Sequence, residues 1–147
     1  MGLLDRLSGG GATRVGLFVD GPNVLRSEFD VDLADVRAVA DERGRLAITR
    51  LYLDENATAG LIQAAEANGF EVVTTSGDVD VKLAVDATAA VADGEIDLLA
   101  IASRDTDFKP VVEAAARRGI ETFAIAPGEY GRSDALRTAA HDAVTLE

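Results

Sequence analysis

Short apolar runs that alternate with segments of helical period restrict this chain to few folds. Residues 15–19 (Val-Gly-Leu-Phe-Val) read as a buried strand ending at Asp20, and residues 46–53, 70–75, 97–102 and 120–126 read as further strands. Between them, Asp32 caps a helix to about Arg43, with Leu33, Val36, Val39 and Ala40 at helical spacing and Gly44 beyond its end. Residues 57–68 form a helix closed by Gly69, and residues 79–92 another that ends at Asp93-Gly94. Residues 108–118 form a third, which tolerates Pro110 in its first turn, carries Arg117 and Arg118 in its last and stops at Gly119. A short helix over 133–140 and an edge strand over 143–146 complete the pattern. Strands separated by helices of this length require right-handed crossovers and a mostly parallel sheet. The expected architecture is a three-layer α/β/α domain.

At 147 residues the chain fits one domain with a real core. The glycine triplet 9–11 marks residues 1–12 as a flexible tail and leaves 13–147 as the folded unit. Cysteine is absent, which excludes a disulfide scaffold, thiolate metal sites, Fe–S clusters and a cysteine nucleophile. The single histidine, His141, excludes a His-rich zinc site and reads as a surface helix residue. No apolar run reaches the roughly 18 residues needed to span a bilayer. The opening Met-Gly-Leu-Leu-Asp-Arg lacks the basic charge of a secretory leader, and Arg6 stands where myristoylation of Gly2 wants Ser or Thr. A soluble cytoplasmic protein without a membrane partner is expected.

The net charge is −12. Lysine occurs only at Lys82 and Lys109, with arginine supplying the other positive charges. Such a surface suits high salt, where the Debye length falls to about 3 Å and global charge says little about one pocket. Local chemistry must decide whether nucleic acid is a partner.

In open α/β sheets the working crevice lies beyond the carboxyl ends of the strands, at a topological switch point. Asp20 follows the first strand directly; Asp105 and Asp107 follow the fourth after Ser103 and Arg104. These two strands are the most apolar, so they should be neighbours at the sheet centre with their acids converging. With Leu83 at 0° on a helical wheel, Ala87 and Ala90 lie within about 40°, while Asp80 and Asp86 fall near +60° and −60°. Both carboxylates therefore flank the buried stripe. Val81 and Val85 occupy the opposite face and point to an interface, as in a homodimer, or to a second core layer. Gathered carboxylates repel unless cations neutralise them, and an all-oxygen set selects Mg²⁺ or Mn²⁺ before zinc. Such ions activate water against phosphodiesters.

Phe18-Val19-Asp20-Gly21-Pro22-Asn23-Val24, then residues 79–86 (Val-Asp-Val-Lys-Leu-Ala-Val-Asp), then Ser103-Arg104-Asp105-Thr106-Asp107-Phe108 resemble, in order and spacing, the NYN domain family, a branch of the PIN-like nucleases. The resemblance runs from about Val15 to Leu146, and Pro127-Gly128 with Ser133, Ala135, Leu136 and Ala139-Ala140 is similar to the end of these domains. It implies a PIN-like fold and a divalent-metal ribonuclease whose substrate is RNA. By position, Asp20 matches the first-strand acid and Asn23 the residue holding the opening loop. Asp80 matches the acid at the start of the central helix, Asp105 and Asp107 the paired acids after the fourth strand, and Asp86 a further acid often present. Many relatives have Ser-Gly-Asp where this chain has Ser103-Arg104-Asp105.

Plainer roles compete. Asp20 can cap the Gly21-Pro22-Asn23 turn, and Asp105, Asp107 and Asp80 can cap helices. Asp86 stands four residues after Lys82, the spacing of an ion pair. Lys82 reads as a solvated helix charge or a phosphate contact, while Ser103 and Arg104 support the site or hold phosphate. The expected function is an endoribonuclease using Mg²⁺ or Mn²⁺ held by Asp20, Asp80 and Asp105, with Asp107 on metal or water and Asp86 as a further candidate metal ligand. The alternative is a non-catalytic PIN-like module binding RNA or protein. A haloacid-dehalogenase-type phosphatase is disfavoured because its second acid would fall at Pro22; a nucleotide-binding switch is disfavoured because neither Gly-x-x-x-x-Gly-Lys-Ser/Thr nor Gly-x-Gly-x-x-Gly follows the first strand.

Overall fold

The fold is described for residues 12–25, 32–128 and 133–146 of a computed structural model, so the expected tail lies almost wholly outside the described residues. Strand β1 (Arg14–Asp20) leads directly into a single helical turn, α1 (Gly21–Val24). There follow α2 (Leu33–Asp41), β2 (Arg45–Asp54), α3 (Ala59–Ala67), β3 (Glu71–Thr75) and α4 (Val79–Ala92). Strand β4 (Leu98–Ala102), a 3₁₀ turn (Thr106–Phe108), α5 (Lys109–Arg117), β5 (Glu121–Ala126), α6 (Asp134–Ala139) and β6 (Asp142–Thr145) complete the chain. The expected elements all form. Where the sequence reads only a Gly-Pro-Asn turn after Asp20, the chain makes helix α1, with Pro22 in the first turn because its fixed φ suits that position.

All six strands form one sheet in the order β3-β2-β1-β4-β5-β6, and every neighbouring pair is parallel. The chain winds outward from β1 to β3, returns, and winds the other way from β4 to β6. The switch therefore falls between β1 and β4, the two most buried strands, whose register pairs Val19 with Ala102. Their carboxyl ends sit side by side.

Alternation along each strand sends side chains to two cores. Val15, Leu17, Val19, Leu51 and Leu53 pack under α2 and α3 with Val36, Ala40 and Ala65. Phe18, Tyr52, Leu99 and Ile101 pack on the other face with Leu83 and Ala87 of α4 and Val112 and Ala115 of α5. Each buried Leu or Ile contributes about 1.5–3 kcal/mol from leaving water. The three layers expected from the sequence are present. On α4 the stripe Val79, Leu83, Ala87, Ala90 is buried as the wheel requires, whereas Val81 and Val85 are 56% and 59% exposed. A second core layer over those valines does not exist among the described residues. No helix among them is long and apolar enough to cross a membrane.

Candidate metal centre

The site begins with Asp20, the last residue of β1, which is only 1% exposed. Its Oδ2 accepts hydrogen bonds from Asn23 Nδ2 at 2.6 Å and Ser103 Oγ at 3.0 Å. Helix α1 makes the first of these possible by turning Asn23 back over the strand end. Gly21 makes α1 possible: a Cβ there would lie 2.4 Å from Leu53 Cδ2 and 2.5 Å from the Tyr52 carbonyl oxygen. Only glycine lets the chain pass so close to the end of β2.

Ser103 joins the two strand ends. While its hydroxyl donates to Asp20, the same oxygen accepts the Asp105 backbone N–H at 3.0 Å. Asp105 in turn caps the 3₁₀ turn by accepting the Asp107 N–H at 2.9 Å. The capping role and the site role of Asp105 are thus compatible, since one carboxylate oxygen is enough to cap. Arg104 points back, and its Nε donates to Asn23 Oδ1 at 3.2 Å.

From α4, Asp80 completes the group. Asp80, Asp105 and Asp107 each offer a carboxylate oxygen, and the three oxygens lie within 4.8 Å of one another. No ion pair among the described residues neutralises any of them. Three like charges this close repel one another, and an all-carboxylate set has the donor chemistry of a hard divalent cation. The cluster can bind a metal. Asp20 is not a member of this trio; it sits buried and is linked to Asp105 through Ser103. Burial pushes the Asp20 carboxyl above the usual carboxylate range; the bonds from Asn23 and Ser103 oppose the shift, and the charges of Asp105 and Asp80 add to it.

Asp86 and Lys82 lie apart from the trio's bonding. Asp86 accepts the Tyr52 hydroxyl at 2.8 Å and pairs with Lys82 Nζ at 3.2 Å, the i,i+4 pairing its spacing suggests. Sequence reasoning missed Tyr52. Its burial, and then its bond to Asp86, raise the phenol above its ordinary value and keep it protonated. The available signal was parity: β1 pairs Phe18 with Arg50 and Asp20 with Tyr52, so Tyr52 lies at the level of Asp20 beneath α4.

The family model of the NYN domain matches residues 14–147, from the first residue of β1 to the chain end. The chain belongs to the NYN domain family. Its nuclease-like fold is that of the PIN-like proteins, and metal dependence is typical of the family. A protein of Methanocaldococcus jannaschii described as uncharacterised is 44% identical to this NYN chain over 130 residues. That match covers 88% of this chain and 54% of the relative, so this NYN chain spans about half the length of the curated relative it matches. Among solved structures, a protein of unknown function from Vibrio parahaemolyticus superposes with a TM-score of 0.78 at 21% identity. The superposition covers 92% of this chain and 94% of the other, and it shows that the two share a fold.

Proposed function

We propose that this NYN domain is a divalent-metal-dependent ribonuclease that hydrolyses RNA phosphodiester bonds. One observation carries the reading: three unneutralised carboxylates, Asp80, Asp105 and Asp107, converge within 4.8 Å beyond the carboxyl ends of the two central strands. Those residues would hold Mg²⁺ or Mn²⁺. A bound ion of this kind would supply charge for the phosphate oxygens and polarise a water so that it gives up a proton more readily. The chain's own residues do the rest. Asp80 and Asp105, half-buried, fix the position of the centre. Asp107, exposed on the 3₁₀ turn, would orient water and accept its proton at a carboxylate oxygen. Asp20, through Ser103 and the Asp105 backbone, holds the fourth-strand loop in register with β1, and Asn23 keeps Asp20 in place.

The test incubates labelled single-stranded RNA with the purified protein in high salt, with Mn²⁺ or with EDTA. Cleavage is expected with Mn²⁺ only, and Asp105→Asn abolishes it. Thermal melts supply a second readout: Mn²⁺ at 100 times its dissociation constant stabilises the wild type by about 2.7 kcal/mol. Asp105→Asn loses that metal-dependent rise, yet melts higher than the wild type in EDTA because one repelling charge is gone. Cleavage that persists in EDTA, or survives Asp105→Asn, rules out the proposal.

A further inference from the structure

We propose that Arg104 is the residue through which this site grips its substrate, holding the two non-bridging oxygens of a phosphodiester beside the bond to be cut. The inference rests on the ribonuclease reading and adds to it the residue that recognises the substrate backbone.

Charge makes the case. If the trio held a single divalent ion, three carboxylates would leave the centre negative, and ionised Asp20 would add to that. A phosphodiester brings one more negative charge and approaches a molecule of net charge −12. Some cation of the protein must offset this locally. Lys82, on the same helix as Asp80, is committed to Asp86, and Arg50 to Glu71. Arg104 adjoins Asp105 in the chain, and among the described residues no carboxylate pairs with it although acids outnumber bases 26 to 14.

Geometry sharpens it. Arg104 is half-buried and lines a cleft of about 300 Å³ with Asn23, Asp105 and Thr106. Its Nε is spent on Asn23 Oδ1 at 3.2 Å, which fixes the guanidinium plane. The Nη edge is left to donate, and a fixed planar fork matches the two free oxygens of a phosphate. Asn23 donates onward to Asp20, so the bond that orients Arg104 belongs to the same chain of bonds that orders the acids. A lysine here would supply charge without the fork.

Arg104→Gln is the decisive variant, since it keeps an amide N–H for Asn23 while losing the charge and the fork. Binding of a labelled single-stranded RNA is measured by anisotropy with Ca²⁺ in place of the activating ion, across a salt series. Arg104→Gln should weaken binding about tenfold, as expected for a lost hydrogen bond to a charged group. It should also flatten the slope of log K against log salt by about 0.7, one phosphate contact on a single strand. Arg104→Lys should keep the slope and lose affinity. With Mn²⁺, Arg104→Gln should raise KM and leave kcat nearly unchanged. Unchanged binding and slope, or a lowered Tm with unchanged binding, overturns the proposal, as does a wild type that binds no RNA. Binding that depends on Arg104 without any cleavage would leave the grip standing and remove the hydrolase; cleavage indifferent to Arg104→Gln would do the reverse.

Discussion

Asp20 is buried under the charges of Asp80 and Asp105, so its native carboxyl holds a proton more tightly than an unfolded chain does. The stability linked to that proton is complete below the unfolded value, near 3.9, and is lost as pH rises through the raised native one. At neutral pH the ionised group therefore opposes folding. Melts of Asp20→Asn and wild type, recorded in EDTA from about pH 3.5 to 7.5, should diverge in favour of the variant as pH rises and then run parallel. Because Asp20 acts through Ser103 and Asn23, the same variant should lose about 10–100-fold in metal affinity or cleavage while keeping its fold. A comparison with Asp54 shows why residue type alone does not assign such roles. Asp54 also ends a strand, yet its carboxylate closes a turn onto the Asn56 N–H at 2.9 Å. Asp86 makes the same point on α4: the wheel places it symmetrically with Asp80, but Tyr52 and Lys82 engage it.

Helix α1 is the element on which the site turns, and its entry is sterically tight. Gly21→Ala would press a methyl group against the Tyr52 carbonyl, which is backbone and cannot step aside. A loss of about 1–3 kcal/mol is expected from urea unfolding, together with reduced activity as Asn23 is displaced from Asp20. At the opposite end of the sheet, Asp97 binds both the backbone N–H and the side chain of Arg14, tying the start of β1 to the start of β4. The Arg14 bond holds the Asp97 carboxyl below its usual range. Its contribution is thus present above the unfolded value and lost as pH falls through the native one. Both side chains are well exposed, at 38% and 47%, so solvent screening limits the effect of Asp97→Asn to less than about 1 kcal/mol. Acid titration of the two proteins should show their difference vanish at low pH.

Across the whole molecule, a net charge of −12 opposes compactness, and screening relieves it. The Tm of the wild type should rise by several degrees between 0.1 and 1 M KCl, most steeply at the low end where the Debye length is about 10 Å. An unchanged Tm would remove the salt-adapted reading of the surface. At this scale the amino-acid order was most legible. Alternating apolar runs and helical stripes specify the elements because each must bury one face, and this holds whatever its neighbours are. The strand ends bearing Asp20 and Asp105, and the place of Asp80 beside a buried stripe, follow from the same periodicity. Three matters lay beyond it: the passage of α1 against β2, the hold of Tyr52 on Asp86, and the trio that includes Asp107 but leaves Asp20 behind Ser103. Each depends on distances between segments far apart in the chain, set only when parallel strands pack to about 4.8 Å spacing and helix α4 settles on them. Periodicity tells a side chain which way to face; only the packed sheet and helices decide which other side chain it meets.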